Sequence, residues 1–262
     1  MDAVKEGKRV QVHIPFQTLT ERFDDLLGAG VNPEIYLDGE YLDFFVPQTL
    51  IEIKEAFRGK GLNITMHGPY LDLNPGSLDE SVRRLTIEKY SMALEAASYL
   101  EPSTIVLHAG YDERRFGGNS ALWLEQSMKT WPPFVKEAQR IGTVIAAEHI
   151  FEKTPNTLKA LVEKIGSPNL GVCIDTGHLN VFANRDTEGW LRELGPYIAE
   201  VHMHDNSGGH DEHLPIGDGL INFRLFLMLL KRYAKNPVYT IEPHGEDNIW
   251  RAIKTVRELL DS

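Results

Sequence analysis

The sequence is poor in cysteine, in long apolar runs and in basic residues. Cys173 is the one cysteine among 262 residues, which excludes an intrachain disulfide framework and favours a reducing compartment. No apolar run approaches the roughly 20 residues that span a bilayer. Residues 1–9 are charged and lack the apolar centre of a signal peptide. We therefore expect a cytoplasmic protein with no membrane partner.

Acidic residues outnumber basic ones, with 38 Asp and Glu against 27 Lys and Arg. The formal net charge of −11 disfavours a broad, sequence-independent nucleic-acid surface. A local basic patch would still be compatible with this charge. The overall composition, 42% hydrophobic and 25% charged, is that of an ordinary globular chain that can bury a large core.

Short β-rich runs alternate with helical patterns along the whole chain. The predicted strands are residues 10–14, 34–37, 63–66, 104–107, 143–147, 170–174, 198–201 and 238–241. Eight such β-then-α units predict a closed parallel (β/α)₈ barrel, or TIM barrel, that forms a single domain over residues 1–262. The helix predicted at 122–141 contains Pro132 and Pro133 as a candidate break, because proline disrupts a helix interior.

Potential metal ligands stand at the carboxyl ends of six successive predicted strands. From the third strand to the eighth they are His67, His108, Glu148, Asp175, His202 and Glu242. The carboxyl ends of barrel strands meet at one mouth, where the active sites of this fold lie. Imidazole and carboxylate groups bind divalent metals such as zinc or manganese. One such residue alone is more often a cap or an ion-pair partner, but six in succession predict a metal site.

The neighbouring loops carry further donors. His178 follows Asp175 by three residues, close enough for both to reach one site. Asp211 and His213 lie in the loop after the seventh strand and could fold over the mouth. Three more histidines are candidates for orienting a ligand or contacting a substrate: His204, His210 and His244. Asp205 is a candidate for orienting a ligand imidazole.

These segments resemble the xylose isomerase-like barrel superfamily, which includes the endonuclease IV family and sugar-phosphate isomerases and epimerases. The resemblance is carried by HGPY at 67–70, LHAG at 107–110, AEH at 147–149, GVCIDTGH at 171–178, HMHD at 202–205, DEH at 211–213 and IEP at 241–243. In endonuclease IV relatives, nine such positions hold three zinc ions. The resemblance places them at His67, His108, Glu148, Asp175, His178, His202, Asp211, His213 and Glu242.

The epimerase relatives use fewer of these positions. There, one manganese or similar ion is held at four strand ends, which the resemblance places at Glu148, Asp175, His202 and Glu242. The two glutamates of that set also move protons on either face of an enediolate. The resemblance therefore implies a divalent-metal cofactor, zinc or manganese, with one to three ions.

Three features weigh against cleavage of abasic DNA by this chain. Only nine positions separate His202 from Asp211, where the nuclease carries a longer basic loop. Glu212 stands where the nuclease has arginine, and the chain is acidic overall. We favour an isomerase or epimerase that acts on a sugar or sugar phosphate, with Glu148 and Glu242 as catalytic residues. An endonuclease IV-like zinc phosphodiesterase, with DNA as its partner, is the alternative.

A metal-containing protein without catalysis is a third interpretation. Structural metal sites are usually closed, four-coordinate and rich in cysteine, unlike this set. Four cations follow a predicted strand-end donor within ten positions: Arg114, Arg115, Lys153 and Arg185. They are candidates for contact with a substrate phosphate or carboxylate, or else solvated surface cations.

Overall fold

Eight parallel strands close into a barrel in the computed structural model, which describes residues 10–183, 185–242 and 245–261. The strands are β1 (Val10–Pro15), β2 (Asn32–Tyr36), β3 (Thr65–His67), β4 (Thr104–His108), β5 (Val144–Glu148), β6 (Leu170–Asp175), β7 (Ile198–Met203) and β8 (Val238–Ile241). They pair in sequence order, and β1 pairs with β8. The predicted (β/α)₈ barrel is confirmed, and each predicted strand overlaps an observed one.

Helices alternate with the strands. They are α1 (Phe16–Glu21), α2 (Phe23–Ala29), α3 (Gly39–Leu42), α4 (Pro47–Gly59), α5 (Glu80–Leu100), α6 (Ser120–Ile141), α7 (Asn156–Ile165), α8 (Thr176–Phe182), α9 (Thr187–Leu194), α10 (Phe223–Tyr233) and α11 (Glu246–Asp261). Asp79, Asn119 and Asn222 cap α5, α6 and α10 by accepting backbone N–H bonds. No described helix combines the length and apolar character that a membrane crossing needs.

The helix α6 continues through Pro132 and Pro133, so the candidate break at this point is wrong. Both prolines lie on the exposed face of the helix, where water can reach the carbonyl groups that lose an N–H donor. Trp131 and Phe134 on either side are buried in the core. Their burial holds the segment in helical conformation despite the prolines.

The short helix α8 is not predicted by the sequence, since seven residues carry too little periodicity. It begins directly after β6. The side chain of Asp175 caps it by accepting the backbone N–H of His178 at 2.6 Å. This turn carries His178 back over the carboxyl end of the barrel.

A polar layer lies inside the barrel beneath the mouth. Glu34 of β2 and Glu200 of β7 are both fully buried there. The carboxyl oxygens of Glu200 lie 2.5 Å from the hydroxyl groups of Thr104 and Thr240. Burial and the charge of Glu34 raise the pKa of Glu200 well above its ordinary value. This shift favours the neutral carboxyl form, which hydrogen-bonds with both hydroxyl groups.

Candidate metal centre

A cavity of about 680 Å³ opens at the carboxyl-terminal mouth of the barrel. Its wall includes seven of the nine predicted ligand residues: His67, His108, Glu148, His178, Asp211, His213 and Glu242. Asp175 and His202 are fully buried and stand within a few ångströms of these groups. The structure therefore brings all nine side chains together, as expected for strand ends that converge on one mouth.

The carboxylate of Glu148 lies at the centre of this set. Its Oε2 is 3.3 Å from His67 Nε2 and 3.2 Å from His108 Nε2. Its Oε1 is 3.5 Å from Nδ1 of both His178 and His202. Burial would raise the pKa of Glu148, but the charges of His202 and His108 outweigh it and hold the pKa well below its ordinary value. The carboxylate is thus ionised and faces four imidazoles.

A second group forms around His202. The Nδ1 atom of His202 is 3.4 Å from Glu242 Oε2, and donor atoms of Asp175, His202 and Glu242 lie within 4.8 Å of one another. Burial raises the pKa of Glu242, whereas the charge of His202 lowers it by more, so that the pKa falls well below its ordinary value. Glu242 is therefore also a carboxylate at neutral pH.

A third group comes from α8 and the loop after β7. Asp211 Oδ2 is 3.2 Å from His178 Nε2 and 3.1 Å from His213 Nε2. Paired backbone hydrogen bonds of 2.8 Å between Asp205 and Leu214 close the loop at its base. This closure places Asp211 and His213 over the mouth, where the sequence predicts them.

The donor set fits divalent metal ions. Carboxylate oxygen and imidazole nitrogen supply every donor, a combination that suits zinc or manganese. Nδ1 of His202 is buried and has no hydrogen-bond partner in the part of the chain that the structure describes, although two carboxylate oxygens face it. A metal ion bound there in place of a proton would give this nitrogen a partner. The role of the nine residues as ligands stays a prediction.

Two further residues contact predicted ligands. The sequence makes His204 a candidate for orienting a ligand or contacting a substrate, and its Nε2 lies 3.1 and 3.0 Å from the two oxygens of Asp175. The sequence marks Glu34 only as part of a strand, and its Oε2 lies 3.2 Å from His202 Nε2. The alternation of side chains along β2 indicates whether Glu34 faces inward. It does not indicate which side chain Glu34 meets across the barrel.

Of the four candidate cations, Arg115 is the one that lines the cavity within the described part of the chain. Arg114 pairs with Asp112 at 3.1 and 3.2 Å, and Lys153 pairs with Glu113 at 2.6 Å. The guanidinium of Arg185 lies 3.4 Å from the carbonyl oxygen of Asn180. These three cations therefore have other contacts in the surrounding loops.

The remaining candidates take structural roles or lie apart. The sequence makes Asp205 a candidate for orienting a ligand imidazole, but its carboxylate accepts backbone N–H bonds from Asn206, Gly217 and Ile221 and so stabilises the loop. His210 is exposed and does not line the cavity. His244 lies outside the described residues.

The fold and the mouth define the chain as a (β/α)₈ barrel with a cavity rich in histidine and carboxylate. The chain belongs to the xylose isomerase-like TIM barrel family, whose pattern matches residues 34–261. The resemblance drawn from the sequence motifs is therefore confirmed at the level of the family.

Three known proteins are similar to this chain. An uncharacterised protein of Methanocaldococcus jannaschii is 35% identical over 98% of this chain and 88% of its own length. A probable endonuclease 4 of Mycobacterium leprae is 25% identical over 77% of this chain and 82% of that protein. The crystal structure of a D-tagatose 3-epimerase-like protein superposes with a TM-score of 0.80 and 28% identity over 97% of both chains. Similar proteins thus carry names from both enzyme classes that the sequence suggests.

Proposed function

We propose that this protein is a divalent-metal-dependent hydrolase that cleaves a phosphoester bond in a small polar substrate. The observation that carries the proposal is the surrounding of Glu148 by four imidazoles, two at each oxygen. A single ion in a catalytic site takes about three ligands from the protein. The carboxylate and four imidazoles together exceed that number, so they favour a centre with several ions. Clustered divalent ions supply charge that offsets the phosphoryl oxygens and acidify an attacking water.

The nine residues divide into three adjoining sets that would hold the ions. The first set is His67, His108 and Glu148; the second is Glu148, Asp175, His202 and Glu242; the third is His178, Asp211 and His213. Glu148 belongs to two sets, and Asp211 stands between the two imidazoles of the third. The protein fixes these donors on strand ends, on α8 and on the loop after β7 before any substrate arrives, which limits the reorganisation that binding requires.

The cavity favours a small substrate over DNA. Its volume of about 680 Å³ is that of a small-molecule pocket. Arg115 lines it but lies 3.8 Å from Asp112, and Arg114 and Lys153 also pair with acidic neighbours. Glu212 stays exposed and accepts a 2.6 Å hydrogen bond from the Ser207 backbone N–H. These contacts leave little positive charge for a nucleic-acid backbone.

Isomerisation or epimerisation of a sugar or sugar phosphate is the second candidate. Glu148 and Glu242 approach His202 Nδ1 from two sides at 3.5 and 3.4 Å, and both line the cavity, as a pair of acid/base groups would. The similarity to the D-tagatose 3-epimerase-like protein supports this candidate as well. It ranks second because the imidazoles around Glu148 include His67, His108 and His178, which the four-residue set of a one-ion epimerase does not use.

Metal counting and activity assays separate the two candidates. Elemental analysis of protein purified without chelator should give about three ions per chain, and the loaded protein should release inorganic phosphate from small sugar phosphates or p-nitrophenyl phosphate. Glu148→Gln should lose both metal and phosphate release. The exposed Glu88→Gln variant should keep both and serves as the matched control.

Three other results would contradict the hydrolase or change its substrate. About one ion per chain, with interconversion of ketoses and no phosphate release, would establish the isomerase instead. Nicking of an abasic-site duplex by the loaded protein would move the substrate from a small molecule to DNA. Full metal loading with no phosphate release from any of these substrates would refute the hydrolase.

A further inference from the structure

Glu34 lies fully buried in the polar layer beneath the candidate metal centre. Its two carboxylate oxygens contact two different histidines. Oε1 is 2.9 Å from His13 Nδ1, and Oε2 is 3.2 Å from His202 Nε2. Because His202 is itself fully buried, the position of its ring is set by such contacts and by packing, not by water.

The two nitrogens of His202 face different surroundings. Nε2 points down to the carboxylate of Glu34, whereas Nδ1 points up between Glu148 Oε1 and Glu242 Oε2. A metal-bound imidazole is neutral and carries one proton. With a metal ion at Nδ1, that proton lies on Nε2, where it donates to Glu34. This arrangement directs the Nδ1 lone pair toward the centre.

Glu34 itself is not positioned to act on a substrate. It does not line the cavity, and His202 lies between it and Glu242. Its register on β2 opposite His13 of β1 and Thr65 of β3 points its side chain into the barrel interior. The contact with His202 spans 168 positions of sequence and crosses the barrel interior between β2 and β7, which are not neighbouring strands. Glu34 reaches the centre through the two imidazoles that it contacts, and of these His202 is the predicted metal ligand.

We infer that Glu34 is a positioning residue that fixes the ring orientation and the tautomer of His202, so that Nδ1 is presented to a divalent metal ion. This inference rests on the metal centre of the proposed function. A carboxylate that accepts the second N–H of a metal-bound imidazole orients the ring and raises its basicity, and loss of such a partner weakens metal binding by about 10- to 100-fold.

Glu200 offers a matched control within the same layer. It is buried to the same extent as Glu34 and lies on the same strand as His202. Its hydrogen bonds go to the hydroxyl groups of Thr104 and Thr240, not to an imidazole. Replacing either glutamate by glutamine removes one carboxyl group from the barrel interior with little change in volume. Both glutamates have an oxygen within 4.8 Å of a His202 nitrogen, but only the Glu34 substitution changes a hydrogen-bond contact with His202.

The test compares zinc affinity in Glu34→Gln, Glu200→Gln and the unaltered protein by competition with a chromogenic chelator. The expected result is an affinity lower by about 10- to 100-fold in Glu34→Gln and unchanged in Glu200→Gln. Equal affinity in all three proteins, or an equal loss in both variants, would overturn the role of Glu34. If the unaltered protein binds no zinc, the proposed function fails first and this inference fails with it.

A second measurement needs no substitution of Glu34. Nitrogen NMR of zinc-loaded protein labelled at histidine reports which ring nitrogen is protonated, and His202→Gln identifies the His202 signals by their loss. The inference requires the proton on Nε2 and the metal-bound nitrogen at Nδ1. A proton on Nδ1 of His202 would overturn it even if Glu34→Gln failed to fold.

Discussion

The imidazole of His204 lies parallel to that of His213, with ring centroids 3.7 Å apart and an angle of 4° between the planes. The same His204 ring contacts both oxygens of Asp175 through Nε2. His204 therefore connects the end of β6 to the loop that carries His213. Gly177 makes this possible, because a Cβ atom at that position would overlap the His204 ring.

Gly177→Ala should displace His204 and destabilise the protein by about 1–3 kcal/mol, the usual effect of overpacking a filled interior. Gly209→Ala is the matched control, because a Cβ atom there would meet no atom within 4 Å. Thermal unfolding of both variants checks the prediction. An unfolding midpoint for Gly177→Ala equal to that of Gly209→Ala would show that the His204 ring moves aside without cost.

Asp211→Asn should lower the metal content without unfolding the barrel. Asp211 Oδ2 stands between His178 Nε2 and His213 Nε2, and an amide is a much weaker metal ligand than a carboxylate. We expect a loss of about one ion per chain in elemental analysis. Asp218→Asn, which removes an exposed partner of Arg251, should retain the full content. Identical metal content in the two variants would remove the third set from the centre.

Glu152 should make stability depend on pH. Burial raises the pKa of its carboxyl from 4.5 to about 7. Between pH 4.5 and pH 7 the folded state therefore keeps a proton that the unfolded state releases. The stabilisation is complete below pH 4.5 and is lost as the pH rises through 7. The change in unfolding free energy caused by Glu152→Gln should therefore be more stabilising at pH 8 than at pH 4, by up to about 3 kcal/mol.

Urea unfolding at pH 4, 6 and 8 measures this dependence. The Ile150 backbone N–H donates a 2.7 Å hydrogen bond to Glu152 Oε2, and the amide oxygen that Glu152→Gln introduces can still accept it. The exposed Glu88→Gln variant controls for the loss of one negative charge. Parallel stability profiles for Glu152→Gln and the unaltered protein would contradict the prediction.

Cys173 should resist alkylation in the folded protein. It is fully buried inside the barrel in a small cluster with Val106 and Ala146. Burial raises the pKa of its thiol well above the ordinary value, so little reactive thiolate forms at neutral pH. Iodoacetamide should leave the native protein unmodified and label it fully in denaturant, as mass spectrometry would report. Rapid labelling under native conditions would show that the barrel opens on the timescale of the reaction.

The sequence predicts the barrel and the convergence of its donors because both depend on local patterns. Apolar runs mark the strands, and a parallel barrel brings the carboxyl ends of all strands to one mouth. His67 and His108 could therefore be assigned to a common site without knowledge of any distance. The continuity of α6 through two prolines could not be predicted from the sequence. It depends on the burial of Trp131 and Phe134, which comes from tertiary packing.

The fold, the family and the residue types that meet at the mouth follow from the sequence alone. The contacts that these residues share follow only from the folded barrel: Glu148 faces four imidazoles, Asp211 lies between two, and Glu34 supports His202 from below. Strand order is enough to say which strand ends meet. Which atoms lie within 3.5 Å depends on register, helix turns and loop closure across the whole barrel, because each of these shifts a side chain by several ångströms.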